Sequence, residues 1–274
     1  MSVADQINRI KTNIANTYTA AQAKGATMPQ AQNSDNLATC IQSITTGGGG
    51  GSTQFGLTAE QMLGTLDGEG NLTLPTLPSI TFTGLIKISS TAFYYRFHQR
   101  QFETGATVSF PDLTNIAISG MGSCFATCNS LTSADLSVLT TVGSSGMSSC
   151  FSSCNSLTSV DLSALTTVDS YGLGFCFNYC NSLTSVDLSA LTTVGSSGMQ
   201  SCFSNCTSLA NISFPSLTNV QTDSFGIGSY DYCFSGCTAL TEIHFRADMQ
   251  ATIEAMTGYA DKWGATSSTI YFDL

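Results

Sequence analysis

Ten of the eleven cysteines stand in Cys-x-x-x-Cys pairs, a spacing at which thiols could form disulfides, bind a metal or pack as small apolar groups. The pairs begin at Cys124, Cys150, Cys176, Cys202 and Cys233. Zinc fits poorly, because the spacing is not Cys-x-x-Cys and the chain has only two histidines. We expect buried, reduced thiols with no metal and no cofactor, and disulfides between neighbouring repeats are the alternative.

The cysteine pairs mark a repeat, Cys-Phe-x-x-Cys-x-(Ser/Ala)-Leu, that is followed each time by a short apolar strand. The first four copies begin 26 residues apart, and the fifth follows an expansion of five residues. A constant period in the twenties with Leu-x-x-Val-x-Leu at its centre is typical of a leucine-rich solenoid. The sequence therefore predicts a repeat solenoid, mainly β with short helical turns, preceded by a short α-helical N-terminal module.

Composition divides the chain into three parts, because five consecutive glycines interrupt it near residue 50. Residues 1–46 are predicted to form a helical assembly or docking module, and residues 47–56 a flexible linker. Residues 57–274 are predicted to form the solenoid with a cap at each end. Leu72 resembles a first rung, and a helix from Met249 to Lys262 is expected to close the far end.

The N-terminal helix carries an apolar seam at coiled-coil spacing, formed by Val3, Ile7, Ile10 and Ile14. So short a helix needs a partner to be stable. Either it packs in a two-helix hairpin, or it joins copies of the chain into a homo-oligomer. Isoleucine at seam positions allows a trimer without demanding one.

Alternation of strand side chains predicts which residues of one repeat point inward. These are Leu157, Val160, Leu162, Leu165 and Val168, together with Met147, Phe151 and Cys154. The outward positions include a column of Asp135, Asp161 and Asp187, in which like charges roughly 5 Å apart repel. This column could bind a cation or sugar hydroxyls, or it could be a solvated polar stripe copied by repeat duplication.

Two repeats replace small residues of the consensus turn GSSGMSSCFSSC with aromatic ones. These aromatic residues are Tyr171, Phe175 and Tyr179 in one repeat, and Phe225, Tyr230 and Tyr232 in the expanded one. Duplication explains identity between repeats, so departures need another cause. The rings could stack on sugars or anchor a protein partner, or they could fill space left by altered packing. A third aromatic cluster, residues 93–98, is expected to be capping core.

Charge and motif content limit the classes of function. A net charge of −10 repels phosphate backbones and anionic lipid, so we expect no nucleic-acid partner. No run of 18 apolar residues occurs, so no membrane insertion is expected, and residues 1–24 lack the apolar core of a signal peptide. His98 and His244 stand in unrelated contexts without a nucleophile motif, so we do not expect an enzyme.

The Phe-x-x-Cys-x-Ser-Leu-Thr-Ser-Val core resembles the BspA-like leucine-rich repeats of bacterial surface proteins and of prophage proteins in gut bacteria. The N-terminal MSVADQINRIKTNIANTYTAAQAKG resembles leaders of phage tail and tail-fibre proteins. The resemblance implies a tail fibre, made in the bacterial cytoplasm and released by lysis, that binds a host cell-surface glycan or protein. Its N-terminal module would bind other virion or tail proteins. The alternatives are a bacterial cell-surface adhesin and a structural virion decoration without a ligand.

Overall fold

The computed structural model describes residues 72–228 and 231–274, together with residues 57, 61, 65 and 66. The chain divides into two compact units, Met1–Pro75 and Thr76–Leu274. In the first unit, strand β1 (Thr65–Leu66) pairs antiparallel with strand β2 (Leu72–Thr73). The interpretation of Leu72 as a first rung is therefore wrong, because solenoid rungs pair in parallel.

The predicted N-terminal helices and the glycine linker lie outside the described residues. The same holds for the seam formed by Val3, Ile7, Ile10 and Ile14. The assembly module therefore stays a prediction from sequence.

The second unit is a parallel β-solenoid in which most coils contribute one short strand to each of two sides. The strands of the first sheet side are β3 (Ile80–Thr81), β5 (Thr107–Ser109), β7 (Ser133–Asp135), β9 (Ser159–Asp161), β11 (Ser185–Asp187), β13 (Asn211–Phe214), β15 (Glu242–Phe245) and β16 (Thr269–Phe272). Those of the second sheet side are β4 (Lys87–Ile88), β6 (Asn115–Ile116), β8 (Thr141–Val142), β10 (Thr167–Val168), β12 (Thr193–Val194) and β14 (Asn219–Val220). Equivalent residues pair in register, as Val160 does with Ala134 and Val186. The predicted solenoid is confirmed, but the expected short helical turns are wrong for its coils, which have turns and no helix among the described residues between 76 and 246.

The third side of the coils is a series of β-turns, which we name the turn ribbon. Its first to fifth segments are residues 91–99, 119–127, 145–153, 171–179 and 197–205. Every fourth ribbon residue has a positive φ although it is not glycine, as at Ser149 (55°). A left-handed residue costs roughly 1–2 kcal/mol. Ser149 donates its N–H to the carbonyl oxygen of Gly174 in the next coil at 2.9 Å, and bonds of this kind recur along the ribbon, so stacking stabilises the strained turns.

The interior is built from stacked apolar side chains. The eight residues expected to point inward in one repeat are all 0–3% exposed, which confirms that prediction. Six phenylalanine rings form a column with centroid distances of 5.2–6.0 Å and interplanar angles of 2–10°. The rings of this column belong to Phe97, Phe125, Phe151, Phe177, Phe203 and Phe234. One core therefore supports both sheet sides and the turn ribbon.

A helical segment and a last strand close the far end. The segment contains helix α1 (Gln250–Glu254) between 3-10 turns at Ala247–Met249 and Tyr259–Gly264. The single helix predicted over Met249–Lys262 is therefore interrupted, and Gly258 adopts a φ of 82° at the break. Trp263 is fully buried in this cap, and its indole N–H donates to the carbonyl oxygen of Thr257 at 2.8 Å. Within the described residues, no helix has the length and apolarity to cross a membrane.

Candidate ligand-binding surface

The ten repeat cysteines form two buried columns of free thiols, as expected. In the second column each thiol donates to a phenylalanine carbonyl of the preceding coil. Cys154 Sγ, for example, lies 3.0 Å from the carbonyl oxygen of Phe125. Burial raises the pKa of Cys128 to about 12, so this thiol stays protonated at neutral pH and is a poor nucleophile. The cysteines are core residues.

The carboxylates of Asp135, Asp161 and Asp187 stand on neighbouring strands in register, as predicted. Each accepts a hydrogen bond from the backbone N–H two residues later at 2.9–3.1 Å, which closes the turn after the strand. Hydrogen bonding from Ser137 lowers the pKa of Asp135. This geometry favours a structural role for the column. Among the described residues, no cluster of three or more His, Cys, Asp or Glu is arranged to hold a metal ion.

Threonine hydroxyls beside the strands are also bonded within the protein. On the second sheet side, Thr166 Oγ1 donates to the carbonyl oxygen of Thr140 at 2.9 Å, and the bond recurs from coil to coil. On the first sheet side, Thr158 Oγ1 donates to the carbonyl oxygen of Thr132 at 3.0 Å. These hydroxyls therefore join successive coils.

The hydroxyls at the left-handed positions of the second and third ribbon segments have no such partners among the described residues. The left-handed positions of the second and third segments are occupied by Ser119, Ser123, Thr127, Ser145, Ser149 and Ser153. All six residues are half-buried, and within the part of the chain that the structure describes none of their hydroxyls is hydrogen-bonded to another residue. The second, third and fourth segments contain no charged residue. The ribbon therefore presents neutral hydroxyls that are available to a ligand.

Three predicted site residues, Tyr171, Phe175 and Tyr179, form an aromatic row on the fourth ribbon segment. They occupy its three left-handed positions, with φ of 56°, 57° and 59°. Tyr171 is 44% exposed and Tyr179 is 51% exposed, whereas Phe175 is half-buried. Among the described residues, none of the three makes a ring contact or a side-chain hydrogen bond. The equivalent positions of the third segment are all serine, so the backbone does not require aromatic residues here.

The second predicted aromatic set does not form one surface. Phe225 is fully buried, with its ring centroid 4.9 Å from that of Trp263 in the cap. The prediction that Phe225 faces a ligand is therefore wrong, because the expanded loop turns this ring into the core. Tyr232 is half-buried and its hydroxyl lies 3.5 Å from Asp261 Oδ2. Tyr230 lies outside the described residues.

Sequence reasoning missed an exposed aromatic pair in the first ribbon segment. Tyr94 and Tyr95 are each 50% exposed, with ring centroids 4.6 Å apart. Within the cluster expected to be capping core, Phe97 is buried at 1% exposure. The four-residue spacing of Thr91, Tyr95 and Gln99 could have located the pair, since these are the left-handed positions of that segment.

A polar cluster lies at the last strands of the first sheet side. His244 Nδ1 is 2.9 Å from Asp273 Oδ1, and its Nε2 is 3.5 Å from Glu242 Oε2. Its ring stacks on Tyr271 at 4.8 Å. Burial opposes protonation, but the hydrogen bonds to Asp273 and Glu242 outweigh it and raise the pKa of His244. The cluster joins β15 to the C-terminal residues.

Comparison with known proteins identifies the repeat. The family described as "BspA type Leucine rich repeat region" matches residues 88–229 in six copies. The crystal structure of a leucine-rich repeat protein from Bacteroides ovatus ATCC 8483 is similar at 16% identity and a TM-score of 0.25. The match covers 68% of this chain and 63% of that one, so the chain spans less than two thirds of the relative. No curated protein matches the chain.

Proposed function

This chain belongs to the BspA-type leucine-rich repeat family, and on that premise we propose that it is a non-enzymatic recognition protein whose turn ribbon binds a cell-surface ligand. Repeat solenoids offer extended surfaces for binding, because each coil adds a row of side chains to the same face. The thiols of the second column and most strand-side hydroxyls join successive coils, and the aspartate carboxylates close turns, so we assign recognition to the turn ribbon.

The observation that carries the proposal is the aromatic row Tyr171, Phe175 and Tyr179. Aromatic residues supply large contact areas at low conformational cost and are enriched where proteins bind partners. Here the two tyrosines are 44% and 51% exposed without a ring partner among the described residues. The neighbouring third segment keeps the same turns with serine at all three positions, so a role in folding does not explain the row.

We place this recognition on a phage or prophage tail fibre. In this proposal residues 1–46 join copies of the chain into a homo-oligomer and bind other virion or tail proteins, while the ribbon binds a host-surface glycan or protein. Several tethered copies would raise the effective concentration and offset weak individual binding. A bacterial cell-surface adhesin and a virion decoration without a ligand are the alternatives.

Binding to intact cells tests the recognition surface. Fluorescently labelled full-length protein is incubated with a panel of bacterial strains, beside the double variant Tyr171→Ser, Tyr179→Ser. We expect the wild type to label at least one strain and the variant to bind at least tenfold more weakly. Tyr271→Ser, which removes a 38% exposed tyrosine from the first sheet side, is the matched control. Equal labelling by wild type and double variant, or no labelled strain, would contradict the proposal.

Mass in solution tests the assembly part. Light scattering is measured for the full chain and for a truncated chain that starts at Ser52. We expect a defined oligomer for the first and a monomer for the second. Two monomers would remove the multivalent fibre and favour a single-copy adhesin or decoration, and co-sedimentation with phage particles would then separate these two.

A further inference from the structure

We infer that the ligand of the turn ribbon is a neutral carbohydrate chain that spans two aromatic platforms. One platform is the row Tyr171, Phe175 and Tyr179 in the fourth segment, and the other is the pair Tyr94 and Tyr95 in the first. This inference rests on the proposed function, to which it adds the class of ligand and a second contact site.

The two platforms share one column of the ribbon. Tyr95, Ser123, Ser149 and Phe175 are equivalent left-handed residues of consecutive segments. The first three each donate their N–H to the next segment, at 3.0, 2.8 and 2.9 Å. Three coil spacings therefore separate Tyr95 from Phe175, which is roughly 14 Å at the usual distance between paired strands. A ligand that contacts both platforms must cross the second and third segments.

The two segments between the platforms offer only small side chains at their left-handed positions. These positions hold the six half-buried hydroxyl residues that have no hydrogen-bond partner among the described residues. The first segment on one side and the fourth on the other both carry exposed tyrosines. Small residues between large ones make a recessed strip with aromatic borders. Each hydroxyl can donate one hydrogen bond and accept others, so the strip matches a ligand that itself carries many hydroxyls.

The strip ends at the fourth segment. In the fifth segment Ser197 and Ser201 are each 1% exposed, and Ser201 donates its N–H to the carbonyl oxygen of Asp231 in the expanded loop. The ribbon available to a ligand therefore runs from the first to the fourth segment, with an aromatic platform at each limit.

Charge favours a neutral ligand over an acidic one. The second to fourth segments contain no charged residue, and the whole chain carries a net charge of −10. An anionic polymer would meet long-range repulsion, and Arg96 in the first segment is the one Lys or Arg residue of the five ribbon segments that could offset it. The apolar faces of sugar rings fit aromatic side chains, and sugar hydroxyls fit the serines, so a neutral glycan satisfies both surface types.

Affinity electrophoresis of the full-length protein tests this inference. Gels contain one of several neutral polysaccharides (dextran, galactomannan, mixed-linkage β-glucan) or the anionic polysaccharide alginate. We expect retardation by at least one neutral polysaccharide and none by alginate. Phe175→Ser and Tyr95→Ser should each weaken binding at least fivefold with only a small fall in the melting temperature, because serine occupies the same column in the second and third segments. Ser149→Asp should also weaken binding at least fivefold, because it places a carboxylate on the strip. Tyr271→Ser should leave binding unchanged.

The outcomes separate this inference from the proposed function. Loss of binding with Phe175→Ser but not with Tyr95→Ser would overturn the proposal that Tyr94 and Tyr95 form a second contact site. Retardation by alginate alone would overturn the neutral ligand in favour of an anionic polysaccharide. Retardation by no polysaccharide would overturn the carbohydrate. If cell labelling still depends on Tyr171 and Tyr179 in that case, the recognition surface stands and its ligand is a protein. If cell labelling is indifferent to both residues, the proposed function itself fails.

Discussion

The two sheet sides and the turn ribbon carry the same kinds of polar residue, but the side chains on the two surfaces differ in their hydrogen-bond partners. Beside the strands, the Thr166 hydroxyl donates to a backbone carbonyl of the preceding coil, and the Asp161 carboxylate accepts a backbone N–H. On the ribbon, the Ser149 hydroxyl has no partner among the described residues. Residue type therefore does not distinguish a structural surface from a surface that can bind a ligand.

The groups that join successive coils differ between the two surfaces. Beside the strands, side-chain hydroxyls reach carbonyl oxygens of the preceding coil. On the ribbon, bonds between coils come from the N–H groups of left-handed residues, as from Ser149 to Gly174, and from buried thiols, as from Cys154 to Phe125, and the ribbon hydroxyls of the second and third segments take no part in them. Ribbon side chains can therefore vary from serine to tyrosine without loss of a bond between coils. A recognition surface can diversify on such a side while the sheet sides stay constant.

The largest expected effect is a difference in stability between two variants, one that replaces a core phenylalanine and one that replaces a ribbon phenylalanine. Phe151 is fully buried and stacks between Phe125 and Phe177 at 5.4 and 5.8 Å. Phe151→Ala should lower the free energy of unfolding by about 3–5 kcal/mol, measured by chemical denaturation. Phe175→Ser, on the ribbon, should lower it by less than about 1 kcal/mol. Similar losses in the two variants would show that the ribbon is as structural as the core.

Removal of single hydroxyls gives a smaller, matched comparison. Thr166→Val deletes the donor to the Thr140 carbonyl oxygen and should destabilise the protein by about 1 kcal/mol. Ser149→Ala deletes a hydroxyl without a protein partner and should change stability by less than about 0.5 kcal/mol, while it weakens carbohydrate binding. Thermal unfolding and affinity electrophoresis read the two effects separately. An equal loss of stability would mean that Ser149 bonds to the protein after all.

The sequence predicted the solenoid, its inward residues and the register of the aspartate column, because a fixed period and strand alternation determine all three. It did not predict the turn ribbon. Left-handed positions every fourth residue follow neither the strand period of two nor the helical period of 3.6, so Tyr171 and Phe225 were indistinguishable as loop aromatics. Only the loop expansion, which carries Phe225 into the core, separates them.

The first ribbon segment was missed for a related reason. Tyr95 and its equivalent in the next segment, Ser123, are 28 residues apart in the sequence, whereas later equivalent residues are 26 apart. The first segment also lacks the cysteines that mark the repeat. Alignment by cysteine therefore assigned the exposed tyrosines to a cap.

The aspartate column should show a still smaller effect. Asp161→Asn keeps an oxygen that can accept the Ser163 N–H, bonded at 3.0 Å, and removes repulsion from Asp135 and Asp187. It should therefore be neutral or slightly stabilising, whereas Asp161→Ala should cost about 1 kcal/mol because the turn loses its acceptor. Thermal unfolding with and without calcium should give the same values for the wild type. Stabilisation by calcium that Asp161→Asn abolishes would instead identify a cation site.

The smallest expected effect lies where a sheet-side bond depends on pH. His244 is bonded to Asp273 and Glu242 and stacks on Tyr271, and its pKa is raised above the ordinary 6.5. A raised pKa means that the folded state binds this proton more tightly than the unfolded state, so the stabilisation is fully present below about pH 6.5 and is lost as the pH rises through the raised value. The melting temperature should therefore fall modestly between pH 6 and 8.5 in the wild type, and less in His244→Gln, which keeps a donor without the charge. Ser149→Ala, on the ribbon, should keep the wild-type profile. Parallel profiles for wild type and His244→Gln would mean that His244 is neutral in this cluster, and that the last strands are joined by uncharged hydrogen bonds like those along the rest of the sheet sides.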